Sequence, residues 1–411
     1  MSRQFKNIEL FDWRQFGRVV VPLDRQFTVL TGPNGCGKTT VLNTLSRHFG
    51  WNINLISTPF LSKKTRERLW SEFGRDWIDA EGAADIRKVG EIEYSTGEKC
   101  TLHVPATAHR RPQYQLQYQG QQPVVGLHVP SHRPSITYQR IAEIPTDPQA
   151  AHQHFSQFNQ LLLQSYSAPK SQNPGLVLKK SLISLAVFGP GNKSVRPNPH
   201  YAELFEGFEQ VLLQLLPPEL GFQRLEIQMP DVVLVTETGP FALDSMSGGI
   251  SALFGIAWQI FMHGADKDQC TVVFDEPENH LHPSMQRTLL PRLGEAFPTY
   301  RFIIATHSPF IVTSHPDASV VALTFDSQKR IRSELLRESE LAGSPNRVLR
   351  EILDVPTTIP VWVEQRIKGI FAKYEDEPDA ELRAKQIFDA LKEDGLNSAL
   401  SYFDPTGDAD E

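Results

Sequence analysis

The stretch Thr31-Gly32-Pro33-Asn34-Gly35-Cys36-Gly37-Lys38-Thr39-Thr40 constrains this chain more than any other part of it. The apolar run Phe27–Leu30 leads into it, and Val41, Leu42, Leu45 and Phe49 follow at helical spacing. The order is strand, glycine-rich turn, helix, and Gly32 to Thr39 fit the pattern G-x-x-x-x-G-K-[ST]. Glycine at positions 32, 35 and 37 lets backbone N–H groups turn inward around phosphate oxygens, and the following helix adds its positive end. The pattern predicts a bound ATP, with Pro33, Asn34, Cys36 and Thr40 in the cradle. Lys38 should bridge the β- and γ-phosphates, and Thr39 should ligate Mg²⁺. Cys36 reads as a small residue at a variable position, because nothing beside it marks a low-pKa thiolate.

Three later segments supply what such a cradle lacks. Thr271-Val272-Val273-Phe274-Asp275-Glu276 is an apolar strand ending in two carboxylates. Asp275 at its tip is expected to hold Mg²⁺, and Glu276 to act as the base that polarises the attacking water. The strand Phe302–Thr306 ends in His307-Ser308-Pro309, where an imidazole can sense the γ-phosphate. Ser247-Gly248-Gly249 opens a helix and makes a second anion-binding N-terminus. Lys38 already serves its own nucleotide, so this second element makes sense if it caps ATP on a neighbouring subunit. Its place 28 residues before Asp275 strengthens that reading over a plain helix cap.

Composition sets the outer limits. The chain has 411 residues, 40% hydrophobic and 22% charged, an ordinary globular balance with room for two domains or one with a large insertion. A net charge of −7 advertises no global basic field for nucleic acid. Cys36, Cys100 and Cys270 form neither a disulfide framework nor a zinc pattern. The start MSRQFKNIELFDW has no apolar h-region, and Ile250–Met262, broken by Gly255 and Gln259, is too short for a bilayer. A soluble, cytoplasmic protein without a membrane partner is expected.

Along the chain, strands are expected at Lys6–Phe11 and Arg18–Leu30, then a charged helix over residues 60–80. Alternating strands follow at Glu91–Ser95, Cys100–Val104, Gln113–Tyr118 and Val124–Val129, with Thr96-Gly97 as a hairpin turn. Helices are expected at Ala150–Tyr166, Leu176–Phe188 and Tyr201–Leu216, strands at Phe222–Gln228 and Val232–Thr236, and amphipathic helix and linker from about residue 330. Residues 1–146 then form an N-terminal lobe with an antiparallel β part, 147–218 a helical arm, 219–328 a C-terminal lobe, and 329–411 a helical extension with an acidic tail. The basic patches Lys63–Arg68, His109-Arg110-Arg111 and Lys179-Lys180 could contact phosphates, but solvated surface is the preferred reading of each.

The order P-loop, Ser-Gly-Gly, Asp-Glu, switch His resembles an ABC-type ATPase head. Asp275-Glu276-Pro277-Glu278-Asn279-His280-Leu281-His282-Pro283 with Ala305-Thr306-His307-Ser308-Pro309 is similar to the soluble ABC ATPases of the OLD (overcoming-lysogenization-defect) and SMC-like group. The resemblance spans about residues 5–325 and implies an α/β P-loop head, mixed sheet lobe plus antiparallel β lobe, with a helical insertion. It implies a D-loop at Leu281-His282; a metal pair at His280/His282 is a weaker reading, since no third ligand converges. It also implies a Q-loop residue on the metal, with Gln139 the first choice and Arg133 the alternative. The chain departs from SMC proteins in its short arm. It departs from full OLD proteins in lacking a recognisable TOPRIM nuclease: Glu364 lies in helix-like sequence, and Asp408-Ala409-Asp410 has no strand before it.

The resemblance therefore implies ATP hydrolysis with a head-to-head dimer or higher oligomer. In the preferred reading the chain is the sensor or scaffold of a bacterial anti-phage system of the PARIS or Septu kind, holding or releasing a separate effector such as a nuclease. An SMC-like DNA-repair ATPase is the alternative, which leaves DNA open as a partner. A transporter ATPase subunit ranks below both, because the stretch between Thr39 and the Q-loop segment is too long for one.

Overall fold

The computed structural model describes residues 3–61, 68–71, 86–106, 108, 111–133, 138–167, 173–337, 345–353, 360–375 and 377–396. Its strands are β1 (Phe5–Trp13), β2 (Phe16–Pro22), β3 (Phe27–Thr31), β4 (Leu55–Ile56), β5 (Thr58–Leu61), β6 (Arg68–Ser71), β7 (Arg87–Tyr94), β8 (Lys99–Val104), β9 (Gln113–Tyr114), β10 (Gln117–Gln119), β11 (Gly126–Val129), β12 (Phe222–Gln228), β13 (Asp231–Thr236), β14 (Phe241–Ala242), β15 (Thr271–Asp275), β16 (Arg301–Ala305), β17 (Ser319–Phe325) and β18 (Ile331–Leu335). The helices that frame them are α1 (Lys38–Ser46), α2 (Ala151–Ser167), α3 (Pro174–Phe188), α4 (Pro199–Leu215), α5 (Gly248–Gly264), α6 (Pro283–Ala296) and α7 (Pro309–Val312).

One eleven-stranded sheet runs β10-β8-β7-β1-β2-β18-β17-β3-β16-β15-β11. Its β11, β15, β16, β3 and β17 are parallel, whereas β2, β1, β7, β8 and β10 pair antiparallel. This is a mixed α/β P-loop fold. The two halves share a core of Leu30, Val41, Leu42, Leu45, Val273, Ile303 and Val321 with Leu10, Val21, Ile92 and Leu102. Three of these side chains hold α1. Val41, Leu42 and Leu45 are fully buried, and each burial stabilises by roughly 1.5–3 kcal/mol. The side-chain cap that α1 lacks at Gly37 would add only about 1 kcal/mol. Packing therefore fixes the helix and leaves its N-terminal N–H groups for a ligand.

Several expectations are corrected. The strand expected over Arg18–Leu30 is two strands: β2 pairs with β1 as far as Pro22, and β3 enters the sheet elsewhere, between β16 and β17. Within residues 60–80 the described residues, 60–61 and 68–71, lie in strands, not helix: β5 and β6 pair antiparallel, Pro59 opposite Trp70 and Phe60 opposite Leu69. Lys63, Lys64 and Arg66 of the basic patch there, and His109 and Arg110, lie outside the described residues. The Gln-rich strand splits, with β9 on β4 and β10 on β8. Residues Ile331–Leu335, expected as helix or linker, form β18 between β17 and β2.

The arm helices α2, α3 and α4 fall close to expectation. Asn173 and Asn198 cap α3 and α4, with Pro174 and Pro199 next in sequence, an arrangement that suits a helix start. Lys179 on α3 is buried rather than solvated. Residues Met1–Gly343 form one compact unit and Ser344–Glu411 a second. In the second, the helices Val361–Lys373 and Ala380–Glu393 pack through Val363, Ile367, Leu391 and Leu396. Among the described residues no helix is long and apolar enough to cross a membrane.

Candidate functional site

Because β3, β16 and β15 are parallel neighbours, their C-terminal ends meet at one edge of the sheet. That edge receives the P-loop from β3, Asp275-Glu276 from β15 and His307 from β16. In the P-loop Gly32 has φ 137°, and a Cβ there would lie 2.2 Å from the Leu323 carbonyl oxygen. Gly37 has φ 85°, and its Cβ would meet the Phe16 ring at 2.5 Å. Both positions need glycine for conformation and for space. Lys38 is 6% exposed, and its Nζ donates to the carbonyls of Gly32 at 2.8 Å and Pro33 at 3.0 Å, with Cys36 Sγ at 3.5 Å. Burial lowers the Lys38 pKa, against the pull of Cys36, Glu276 and Asp275. Burial likewise raises the Cys36 thiol, so this sulfur is held protonated beside the lysine.

Thr39 Oγ1 donates to Asp275 Oδ1 at 3.3 Å. Burial, and then the neighbouring Glu276 charge, push the Asp275 carboxyl up to about 6. A hydroxyl and a charge-starved carboxylate beside a phosphate cradle are a hard-oxygen set of the kind Mg²⁺ takes, the phosphates and water completing it. Among the described residues no group of three His, Cys, Asp or Glu converges as a metal cage. His282 instead serves as the N-cap of α6.

Glu276 adopts φ 45°, a left-handed conformation that costs a non-glycine residue about 1–3 kcal/mol. Three contacts hold it there. Its N–H donates to the Ala305 carbonyl at 2.8 Å, Asn279 Nδ2 donates to Glu276 Oε2 at 3.0 Å, and Arg133 Nη2 donates to the Glu276 carbonyl at 3.2 Å. Arg133 also reaches the carbonyls of Pro277 at 3.4 Å and Asn279 at 3.1 Å, and lies over the Phe274 ring.

Glu278 is a site residue that sequence reasoning missed. Its Oε1 accepts from Thr306 Oγ1 at 2.8 Å and from the His307 N–H at 2.7 Å, tying the end of β16 to the end of β15. Burial raises its pKa. The half-buried His307 has its own pKa lowered by burial and then by the Lys38 charge, so its ring is neutral near pH 7.

The remaining candidates divide. Ser247 is the N-cap residue of α5 but makes no side-chain capping bond, and Ser247 and Gly248 are exposed. Among the described residues no hydrogen bond joins Ser247–Gly249 to the P-loop. Gly249 packs on the segment before α6, where a Cβ would lie 3.0 Å from the His280 carbonyl. Gln139 is placed against α3, its carbonyl facing Lys179 at 3.5 Å, and among the described residues no hydrogen bond links it to Thr39 or Asp275. From that segment it is Arg133 that reaches the Asp275-Glu276 turn, because β11 lies directly beside β15.

Two family models match. Residues 163–313 match "AAA domain, putative AbiEii toxin, Type IV TA system", and residues 7–64 match "AAA domain". Among curated relatives, Retron Vc95 probable ATPase of Vibrio cholerae serotype O1 biovar El Tor is 44% identical over 43 residues, 10% of this chain and 8% of that protein. Retron Ec83 probable ATPase of Escherichia coli is 50% identical over 38 residues, 9% of this chain and 7% of that protein. The likeness is to ATPases. Less than a tenth of each relative's length is spanned. Among solved structures, the Smc head domain with an extended coiled coil bound to the C-terminal domain of ScpA, from Pyrococcus furiosus, aligns at TM-score 0.45 and 13% identity, over 85% of this chain and 99% of that one. The SMC head domain from Thermotoga maritima aligns at TM-score 0.40 and 14% identity, over 82% of this chain and 100% of that one.

Proposed function

We propose that this chain is an ATPase head that dimerises around ATP and uses hydrolysis to hold and release a separate effector in anti-phage defence. One observation carries the ATPase part: Lys38, Thr39, Asp275, Glu276 and His307 meet at one sheet edge, while among the described residues no hydrogen bond ties Ser247–Gly249, with Ser247 and Gly248 exposed, to the P-loop. A composite site between two subunits accounts for both halves. The relatives named as retron ATPases support the defence setting.

In this reading the Lys38 ammonium leaves the Gly32 and Pro33 carbonyls for the β- and γ-phosphate oxygens. Thr39 and Asp275 would hold Mg²⁺, which neutralises charge on the transferring phosphate when bound. Glu276 takes a proton from the attacking water, with Asn279 holding its carboxylate through Oε2. His307, neutral and positioned through its N–H by Glu278, donates to a γ-phosphate oxygen. Ser247–Gly249 of a second copy presents a helix N-terminus to the same phosphate.

Purifying Glu276→Gln with ATP, from cells that carry the native neighbouring genes, tests the role. A stoichiometric protein partner that is absent from the hydrolysing wild type is expected. Nucleic acid without such a partner would favour the repair reading instead.

A further inference from the structure

Lys179 sits on α3, and a buried ammonium needs compensation. It receives two carboxylates. Nζ donates to Asp231 Oδ1 at 2.6 Å and to Asp244 Oδ2 at 2.5 Å, and the Lys179 and Asp244 side chains are 2% and 5% exposed. The Tyr138 ring stands 5.0 Å from Nζ, and the Gln139 carbonyl faces it at 3.5 Å. Burial pulls the ammonium's pKa down, but the bonds from Asp231 and Asp244 outweigh it and leave the pKa above its ordinary value.

The partners give this cluster its meaning. Asp231 opens β13. Asp244 lies in the 3-10 turn Leu243–Ser245, three residues before Ser247. Leu243 is fully buried and the Asp244 side chain is held by Lys179, whereas Ser245, Ser247 and Gly248 are exposed and Met246 is half-buried. Tyr138 and Gln139 follow Arg133, which grips the carbonyls around Glu276. Lys179 thus stands where the arm, the segment leading from the Glu276 turn and the approach to Ser247 come together. A buried ion pair adds little net stability over an apolar replacement, so the geometry it fixes is the more telling feature.

We propose that Lys179, acting through Asp244, is a positioning residue that sets the Ser247–Gly249 helix end for the nucleotide of a second subunit and passes movement of the arm to it. The proposal rests on the two-subunit site above. Asp244→Ala leaves the Lys179–Asp231 pair in place and so removes only the tie to the approach to Ser247. Its expected result is nucleotide affinity within about twofold of wild type and turnover lowered about tenfold, because an interaction felt only in the assembled site is lost. Lys179→Met should show the same split between affinity and turnover.

Complementation decides where the defect acts. Mixed in equal amounts with Lys38→Ala, Asp244→Ala should recover about a quarter of wild-type turnover. About half of the dimers then carry one chain of each kind, and one of their two sites is whole. Ser247→Arg mixed with Lys38→Ala is the reference pair. If the reference pair recovers activity and Asp244→Ala does not, the proposal is overturned and the two-subunit site stands. If neither pair recovers, the two-subunit site fails and the proposal falls with it. Wild-type turnover in Asp244→Ala, or loss of nucleotide binding by it, also overturns the proposal.

Discussion

Asp275 destabilises the chain that carries it. Its carboxyl titrates at about 6 rather than 3.8, so between those values the folded chain holds a proton that the unfolded chain gives up. The stability linked to that proton is complete below about pH 4 and is lost as pH rises through 6, a change of about 3 kcal/mol. Asp275→Asn should therefore raise the melting temperature of the nucleotide-free protein at pH 7.5 by several degrees while ending Mg²⁺-dependent hydrolysis; calorimetry and phosphate release read the two effects. An unchanged or lower melting temperature would contradict the account. Asp275, Glu276 and Lys38 stand out in the sequence because each sits in a motif whose spacing reflects its chemistry. Glu278 does not: a carboxylate two residues after Glu276 looks like surface charge until the pairing of β15 with β16 brings the His307 N–H to it. Gln139 ranked ahead of Arg133 for want of the same information, since the parallel pairing of β11 with β15 is what carries Arg133 to the Glu276 turn.

Elements with a strong local signal were legible, and those defined by distant pairing were not. Helices α2, α3 and α4 show apolar spacing, α3 and α4 with Asn-Pro starts, and β15 and β16 have apolar centres, Val272–Phe274 and Phe302–Ala305. β18 reads Ile-Arg-Ser-Glu-Leu, too polar to announce a strand, and exists because β17 and β2 flank it. The P-loop joins both kinds of information. Its glycines come from the motif, but the reason Gly37 admits no side chain is Phe16, placed against it by β2. Gly37→Ala combines that clash with a left-handed φ of 85°. It is expected to weaken nucleotide binding at least about tenfold, with a fold loss of roughly 1–3 kcal/mol. Titration with a fluorescent ATP analogue checks this, and unaltered affinity would show that the loop tolerates a Cβ.

Across the whole molecule, acid acts against several buried histidines at once. His128 and His154 are buried, and burial lowers each from 6.5 to about 4; His48 and His263 shift the same way. A depressed histidine gives stability that is present above pH 6.5 and lost as pH falls toward 4, up to about 3 kcal/mol for each fully buried ring. Four such groups outweigh the opposite trend of Asp275. Unfolding midpoints in urea should fall between pH 7 and pH 5, and more steeply in Asp275→Asn; a flat profile would contradict the burial of these rings. The division of labour between the phosphate cradle and Ser247–Gly249 is the central claim, and the mass of Glu276→Gln tests it most directly. Light scattering of this 46.4 kDa chain should show a doubling, or a larger even multiple, with Mg²⁺ and ATP but not with ADP. Adding Ser247→Arg should return the mass to that of one chain. If the Glu276→Gln mass is unchanged by ATP, or if assembly persists with Ser247→Arg, the composite site between two subunits is wrong.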